Sequence, residues 1–204
     1  MGAENIDTKT RIFDAADELF CKFGYDGVSV RDIARCADVN KASVFYYFSS
    51  KEELFEAVLS RYYDLHRGAL EGALISEGTV RDQMHRLIDD YWAFMQDNAR
   101  YSKLVQGLLV TGGERLAFAK HTLAPLFNWT MEVLAEISPE KGPKAARQMY
   151  LTFVSAVVNY FTYAPALEEV WGDEPFSEAS MEERRAHLHW LVDLVLDDLV
   201  DAAD

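Results

Sequence analysis

Helix start and stop signals follow one another closely over residues 24–51, and this stretch constrains the fold more than any other. Gly24 and Gly27 end an amphipathic segment over 7–23, in which apolar side chains recur every three or four positions. Ser29 then opens a capping box and predicts a short helix immediately after it. The chain therefore begins with a helix, two closely spaced breaks and a second, much shorter helix.

Asn40 is a good N-cap and predicts another short helix over 41–48, after the one over 30–37. Two short helices joined by a tight turn form a helix-turn-helix, whose second helix enters the DNA major groove. Val44 and Phe48, four residues apart, can share the inward face. The outward groups suit base edges and phosphates: Lys41, Ala42, Ser43, Tyr46 and Tyr47. On spacing alone, the alternative that these aromatics are core and the rest is a solvated face stays open.

Helical periodicity continues through the rest of the chain, and no convincing strand is predicted. The later predicted helices span 51–75, 79–96, 100–110, 114–137 with a kink or split at Pro125, 143–164 and 181–200. A loop is predicted over 165–180, with Ser180 as the cap of the last helix. The predicted fold class is all-α.

Net charge needs to be considered along the chain. The 204 residues contain 20 Lys and Arg against 34 Asp and Glu, a formal net charge of −14, which argues against a nucleic-acid partner when treated as one number. Residues 28–51, however, hold four cations and two anions, and residues 68–204 carry −11 of the total. The acidic body therefore does not exclude DNA, and we expect it to limit non-specific binding.

Other features favour a cytoplasmic protein without a membrane span. The 20 residues over 148–167 carry no charge, but their polar side chains favour a helix buried within a soluble protein. The N-terminus has no signal-peptide pattern. Cys21 and Cys36 form no CxxC motif, which argues against a disulfide framework and a zinc site. Both are interpreted as core residues, and a redox role would require an accessible thiolate.

The residues around the helix-turn-helix resemble the signature of the TetR family of transcriptional regulators over about residues 8–56. The resemblance lies in four stretches: Ala15-Ala16-x-x-Leu19-Phe20-x-x-x-Gly24-Tyr25, Ser29-Val30-Arg31-Asp32-Ile33-Ala34, Val39-Asn40-Lys41-Ala42-Ser43-Val44-Phe45-Tyr46-Tyr47-Phe48 and Ser50-Lys51-Glu52-Glu53-Leu54-Phe55. The remaining three-quarters of the chain is similar to the family only in being helical and of suitable length.

The resemblance implies a DNA-binding role for Ser29, Arg31, Lys41, Ala42, Ser43, Phe45, Tyr46, Tyr47 and Lys51. Ser29 and the helix after it would hold a phosphate, and Lys51 would hold another. Phe45 stands where the family usually has a tyrosine, so an apolar or packing contact replaces the hydroxyl contact there. Asn40 is interpreted as a helix cap rather than a base reader.

The resemblance also implies a helix-turn-helix DNA-binding domain over 1–52 and a helical effector-binding and dimerisation domain over 53–204. A homodimer would bind a palindromic DNA operator, and a lipophilic or aromatic small molecule would release it. By the habit of the family, the expected role is repression rather than activation. The predicted dimer interface is Tyr150, Phe153, Val154, Val157, Phe161, Leu188, Leu191, Val192 and Val195. The alternative is that these apolar stripes are internal core.

The candidate effector-binding residues are apolar or lightly polar, as in small-molecule sites. They are Tyr62, His66, Met84, Tyr91, Phe94, Leu104, Leu108, Phe118, His121, Thr122, Trp129 and Asn159, each of which could instead be ordinary core. No catalytic constellation, metal site or cofactor is predicted, because His187 and His189 face different directions and no catalytic motif occurs. An all-α enzyme and a helical interaction module without DNA binding remain the alternatives, and salt-dependent, sequence-selective DNA binding discriminates between them.

Overall fold

The computed structural model describes residues 2–75, 77–111, 117, 120, 124, 127–128, 130–132 and 134–201. These residues form α-helices and no strand, which confirms the all-α fold class. Further helical residues occur among the described positions between 117 and 135. The continuous helices with described bounds are α1 (Gly2–Phe23), α2 (Val30–Cys36), α3 (Lys41–Tyr47), α4 (Lys51–Ile75), α5 (Val80–Asp97), α6 (Ala99–Thr111), α7 (Ala146–Trp171) and α8 (Glu178–Asp201).

The chain divides into two compact units. The first comprises residues 1–64 and 103–122, and the second comprises residues 65–102 and 123–204. The functional domain boundary expected after residue 52 stays a prediction.

The first unit has its core where α1, α2 and α3 pack together with the beginning of α4. Ile12, Phe20 and Ile33 are completely or almost completely buried, as is Phe55 of α4. The rings of Phe20 and Phe55 meet edge to face, with centroids 5.0 Å apart. Full burial of each such side chain contributes about 1.5–3 kcal/mol. This core fixes the two short helices, which are too short to be stable alone.

The second unit is organised around α5, which packs against both α7 and α8. Trp92 of α5 lies against Phe161 of α7, with ring centroids 4.9 Å apart. Met95, Val157 and Leu188 are almost completely buried and come from the three different helices. The core of this unit is therefore shared among α5, α7 and α8.

A polar network joins α5 to α8. His189 Nδ1 lies 2.6 Å from His85 Nδ1, while His85 Nε2 lies 2.9 Å from Asp193 and His189 Nε2 lies 2.7 Å from Asp89. Because an ionised carboxylate can only accept hydrogen bonds, each Nε2 atom donates a hydrogen bond to its carboxylate. The two imidazoles therefore link Asp89 of α5 to Asp193 of α8. Hydrogen bonds from His85 and from Arg81 lower the pKa of Asp193.

Two predictions near the C-terminus are wrong. The loop expected from residue 165 begins only after Trp171, because Pro165 is accommodated within α7 and Gly172 ends the helix in the left-handed conformation, at φ 75°. The expected cap Ser180 lies inside α8, whose first turn is instead capped by the Ser177 hydroxyl, which accepts from the Ser180 N–H at 3.3 Å. In the part of the chain that is described, no helix is long and apolar enough to cross a membrane.

Candidate nucleic-acid interface and ligand cavity

The helix-turn-helix begins at a complete capping box. The Ser29 hydroxyl accepts from the Asp32 N–H at 3.2 Å, and the Asp32 carboxylate accepts from the Ser29 N–H at 3.1 Å. The hydrogen bonds from Ser29 lower the pKa of Asp32, and Arg35 adds an ion pair at 2.6 Å. Ser29 is exposed, and its hydroxyl also donates to Asp32. A phosphate contact from this hydroxyl would therefore require it to turn away from Asp32.

The turn between α2 and α3 is held by an arginine from α1 that sequence reasoning missed. Arg11 Nη2 donates to the carbonyl oxygens of Ala37 at 2.5 Å and of Asp38 at 2.8 Å. Asp38 has φ 51°, a left-handed conformation that aspartate tolerates better than most residues. The sequence predicts a turn at Asp38, but it does not show which distant side chain donates a hydrogen bond to the Asp38 carbonyl oxygen.

The start of α3 is fixed by Asn40, whose side-chain oxygen accepts from the Ser43 N–H at 2.8 Å. Val44 and Phe48 are buried, which confirms the predicted inward face. Lys41, Ala42, Phe45 and Tyr46 are exposed, while Ser43 and Tyr47 are half-buried. Tyr46 is 75% exposed, which distinguishes it from an aromatic side chain in a core.

The outward face of α3 is pre-arranged by contacts among its own side chains. Lys41 Nζ lies 5.4 Å from the centre of the Phe45 ring, and the rings of Tyr46 and Tyr47 meet edge to face at 5.0 Å. Arg31 is exposed on α2. The face thus combines a cation with aromatic edges and small groups, the types that contact phosphates, base edges and thymine methyl groups.

Lys51 is positioned by the aromatic core of the first unit. Its Nζ lies 3.8 Å from the centre of the Tyr25 ring, and the Tyr25 hydroxyl donates to the Glu52 carboxylate. Lys51 is half-buried. Its role as a phosphate contact stays a prediction, with its ammonium group beside Tyr25 in this structure.

The second unit contains a largely apolar cavity. None of the described residues that line it carries a formal charge at neutral pH. The lining residues are His66, Leu70, Met84, Leu87, Ile88, Tyr91, Thr130, Leu134, Ile137, Ser138, Met149, Tyr150, Phe153, Val154, Val192, Val195, Leu196 and Leu199. An apolar concavity with a few polar groups has the character of a small-molecule site.

His66 lines the cavity beside two aromatic rings. Its ring is nearly parallel to those of Tyr91 and Phe94, with centroids 4.9 Å away in each case. The residue as a whole is half-buried, but its Nδ1 is buried and has no hydrogen-bond partner among the described residues. Burial lowers the pKa of His66 to about 4, so its imidazole is neutral at pH 7.

The predicted effector-binding residues separate into groups. His66, Met84 and Tyr91 line the cavity, and Phe94 is buried against His66. Tyr62, Leu104 and Leu108 are buried in the first unit instead, and Asn159 is exposed on α7. Phe118, His121, Thr122 and Trp129 lie outside the described residues. Ser138, assigned to a loop from the sequence, lines the cavity without having been predicted.

The predicted dimer-interface residues lie largely inside the protomer. Val157, Phe161, Leu188 and Val192 are buried, and Leu191 is half-buried. Tyr150, Phe153, Val154 and Val195, together with Val192, line the cavity. A side chain buried in its own chain offers no surface to a second copy, so these stripes are internal at such positions. The exposed apolar side chains on the same two helices are Leu151, Tyr163, Val170, Trp171, Trp190 and Leu194.

Comparisons with known proteins agree with this arrangement. Residues 12–58 match the family model described as bacterial regulatory proteins, tetR family. The "Probable HTH-type transcriptional regulator YttP" of Bacillus subtilis is 34% identical over 102 residues, which are 49% of this chain and 49% of that protein. The negative transcriptional regulator IcaR of the Staphylococcus aureus biofilm operon icaADBC is 39% identical over 56 residues, 28% of this chain and 30% of IcaR.

The chain thus spans about half the length, or less, of these two curated relatives. Over most of the chain, the likeness is one of fold. The structure of the regulator FadR from Bacillus subtilis in complex with stearoyl-CoA has a TM-score of 0.63 and 18% identity, and the match covers 94% of this chain and 97% of FadR. Residues 12–58 therefore form a helix-turn-helix region similar to that of the TetR family, and the helical remainder shares its fold with transcriptional regulators such as FadR.

Proposed function

We propose that this chain is a ligand-responsive transcriptional repressor that binds a palindromic DNA operator as a homodimer and is released by a lipophilic or aromatic small molecule. The observation that carries the proposal is the outward face of α3, where Lys41, Phe45 and Tyr46 are exposed at the end of a capped, tightly held turn. Such a face suits the major groove and has no role in the core of its own unit.

The charge distribution supports DNA as the partner. Arg31, Arg35 and Lys41 are exposed on the two short helices, where they can contact phosphates. The acidic remainder of the chain repels DNA, so binding depends on a close fit of this cationic face. IcaR is a negative regulator, and its likeness to the first unit supports repression rather than activation.

A second copy of the chain is the expected partner at α7 and α8. Trp190 is 56% exposed and Leu194 is 50% exposed, four residues apart on α8. Leu151 and Tyr163 add exposed apolar surface on α7. Exposed apolar side chains on two neighbouring helices favour burial against another copy of the chain. A dimer would present two α3 helices to the two half-sites of an operator.

The cavity of the second unit is the proposed effector site. The described residues of its lining are mostly apolar and carry no charge, in accordance with a lipophilic or aromatic ligand. FadR, which shares the fold, has been solved with stearoyl-CoA. Helix α4 supplies Lys51 to the predicted DNA contacts and His66 to the cavity. We propose that ligand binding changes the separation of the two α3 helices of the dimer, so that ligand and operator each weaken the binding of the other.

The function is tested by measuring affinity for a selected DNA duplex at several salt concentrations. Lys41→Ala should weaken binding about tenfold and reduce the slope of log affinity against log salt by about one, since a phosphate contact is lost. Lys141→Ala is the matched control, because Lys141 is exposed at the far end of the 138–142 turn, with its side chain 82% exposed. Equal loss in the two variants would leave only non-specific attraction and would contradict the proposal.

A further inference from the structure

The cavity in the second unit contains two polar atoms that restrict its ligand. His66 Nδ1 and Ser138 Oγ are buried, and neither has a hydrogen-bond partner among the described residues. Both residues line the same cavity. Because a buried polar atom without a partner is costly, their presence in an apolar lining indicates that something in the cavity pairs with them.

The rest of the described lining excludes a charged partner for these atoms. It contains no Lys, Arg, Asp or Glu that could neutralise an ionic head group. Burial raises the pKa of Tyr91 and of Tyr150, so both phenols keep their protons. Burial also keeps His66 neutral by lowering its pKa. Among the lining residues that the structure describes, a carboxylate or ammonium group would lose its hydration without gaining a counter-charge.

Each of the two atoms can pair with an uncharged oxygen. A neutral imidazole nitrogen either donates or accepts according to its tautomer, and a serine hydroxyl rotates to do either. A ligand carbonyl can accept from either atom, and a ligand hydroxyl can donate to either atom or accept from it. Leu70, Ile88, Leu134 and Phe153 surround the cavity with apolar surface suited to a hydrocarbon body.

We propose that the effector is an uncharged, mainly hydrocarbon molecule, whose carbonyl or hydroxyl oxygen hydrogen-bonds with His66 Nδ1 and Ser138 Oγ. This inference rests on the proposed effector role of the cavity. It narrows the ligand to ketones, esters and alcohols, and it excludes fatty acid anions and amines from the space that these residues line. His66 and Ser138 determine which head group is accepted, while the apolar lining supplies most of the affinity.

The test compares probes of equal chain length in full-length protein without DNA. Binding of 2-undecanone, 1-undecanol, undecanoate and undecylammonium is measured at pH 7.5 by calorimetry and by the shift in Tm. The ketone and the alcohol should bind, and both ions should bind at least tenfold more weakly. Ser138→Ala should weaken binding of the ketone about fivefold, as expected for one hydrogen bond. Ser155→Ala, on an exposed position of α7, is the control and should change nothing.

The variant His66→Phe keeps a flat aromatic ring beside Tyr91 but removes the nitrogen, and it should weaken binding of the ketone by a similar factor. Binding of undecanoate as tight as that of the ketone would overturn the proposal. So would unchanged ketone affinity in both variants, or no binding of either uncharged probe. Operator affinity of the ligand-free protein is measured separately, and its absence would overturn the proposed function without changing the result on ligand class.

Discussion

The imidazole of His66 lies parallel to the phenol ring of Tyr91, with ring centroids 4.9 Å apart and 7° between the planes. Burial lowers the pKa of His66 from 6.5 to about 4. As the pH falls below 6.5, His66 becomes protonated in the unfolded chain, whereas in the folded chain it stays neutral until about pH 4. The stability contributed by this group is therefore complete above pH 6.5 and is lost as the pH falls towards 4.

Because the pKa of His66 differs between the folded and the unfolded chain, we expect His66 to make the protein less stable in acid. Between pH 7.5 and pH 5, His66 should lower the free energy of unfolding by about 2 kcal/mol. In His66→Phe, which retains a ring beside Tyr91, the loss over this range should be smaller by that amount. Denaturant titrations of the two proteins at both pH values measure the effect, and parallel pH profiles would show that His66 is not held neutral.

Arg11 should connect stability with DNA binding, because it fixes the turn that sets the direction of α3. Arg11→Met removes the donors to Ala37 and Asp38 and should lower the free energy of unfolding by about 1–2 kcal/mol. Operator affinity should fall as well. Arg61→Met is the control, because the exposed pair of Arg61 with Asp14 at 3.5 Å contributes little. Equal effects of the two substitutions on DNA binding would show that the Arg11 hydrogen bonds do not hold the reading helix.

Asn40 allows helix capping to be separated from DNA contact. Asn40→Ala should lower the free energy of unfolding by about 1 kcal/mol, since the cap on Ser43 N–H is lost. Asn40→Asp keeps the cap and should preserve stability, yet it places an anion where α3 approaches DNA phosphates. Its operator affinity should fall about tenfold at low salt, with a smaller loss at high salt. An Asp variant with wild-type affinity would mean that this end of α3 does not face DNA.

The pair of His85 and His189 should couple α5 to α8 through the contact between their Nδ1 atoms. A double-mutant cycle with His85→Phe and His189→Phe is expected to give a coupling of about 1 kcal/mol at neutral pH. Thermal unfolding of the four proteins measures it. A coupling near zero at neutral pH would contradict the assigned hydrogen bond.

Local signals made much of the first unit predictable. The capping box at Ser29, the cap at Asn40 and the inward positions of Val44 and Phe48 all follow from side chains within four residues of one another. Such features depend on the backbone around them and little on tertiary packing. The Arg11 contacts join residues 26 and 27 positions apart, and no spacing rule finds them.

The second unit was harder to predict, because an apolar stripe does not show which neighbour covers it. Val154 and Val195 were expected at a dimer interface, but they line the cavity. Trp190 and Leu194, which were not chosen, are exposed on α8. The end of α7 was also placed too early, since Pro165 is accommodated within the helix and Gly172 supplies the end. Helical periodicity does not show which neighbour covers an apolar stripe or where a helix ends, and in each of these cases tertiary packing decided it.

The central claim, that α3 reads a DNA sequence, is tested most directly by selection of duplexes from a random pool with the full-length chain. We expect enrichment of an inverted repeat, with half-sites about one helical turn or a multiple of it apart, and an affinity that falls steeply with salt. Tyr46→Ala, at a position that is 75% exposed, should keep its fold and lose this preference. No enriched sequence with the wild-type protein at low salt would contradict the claim.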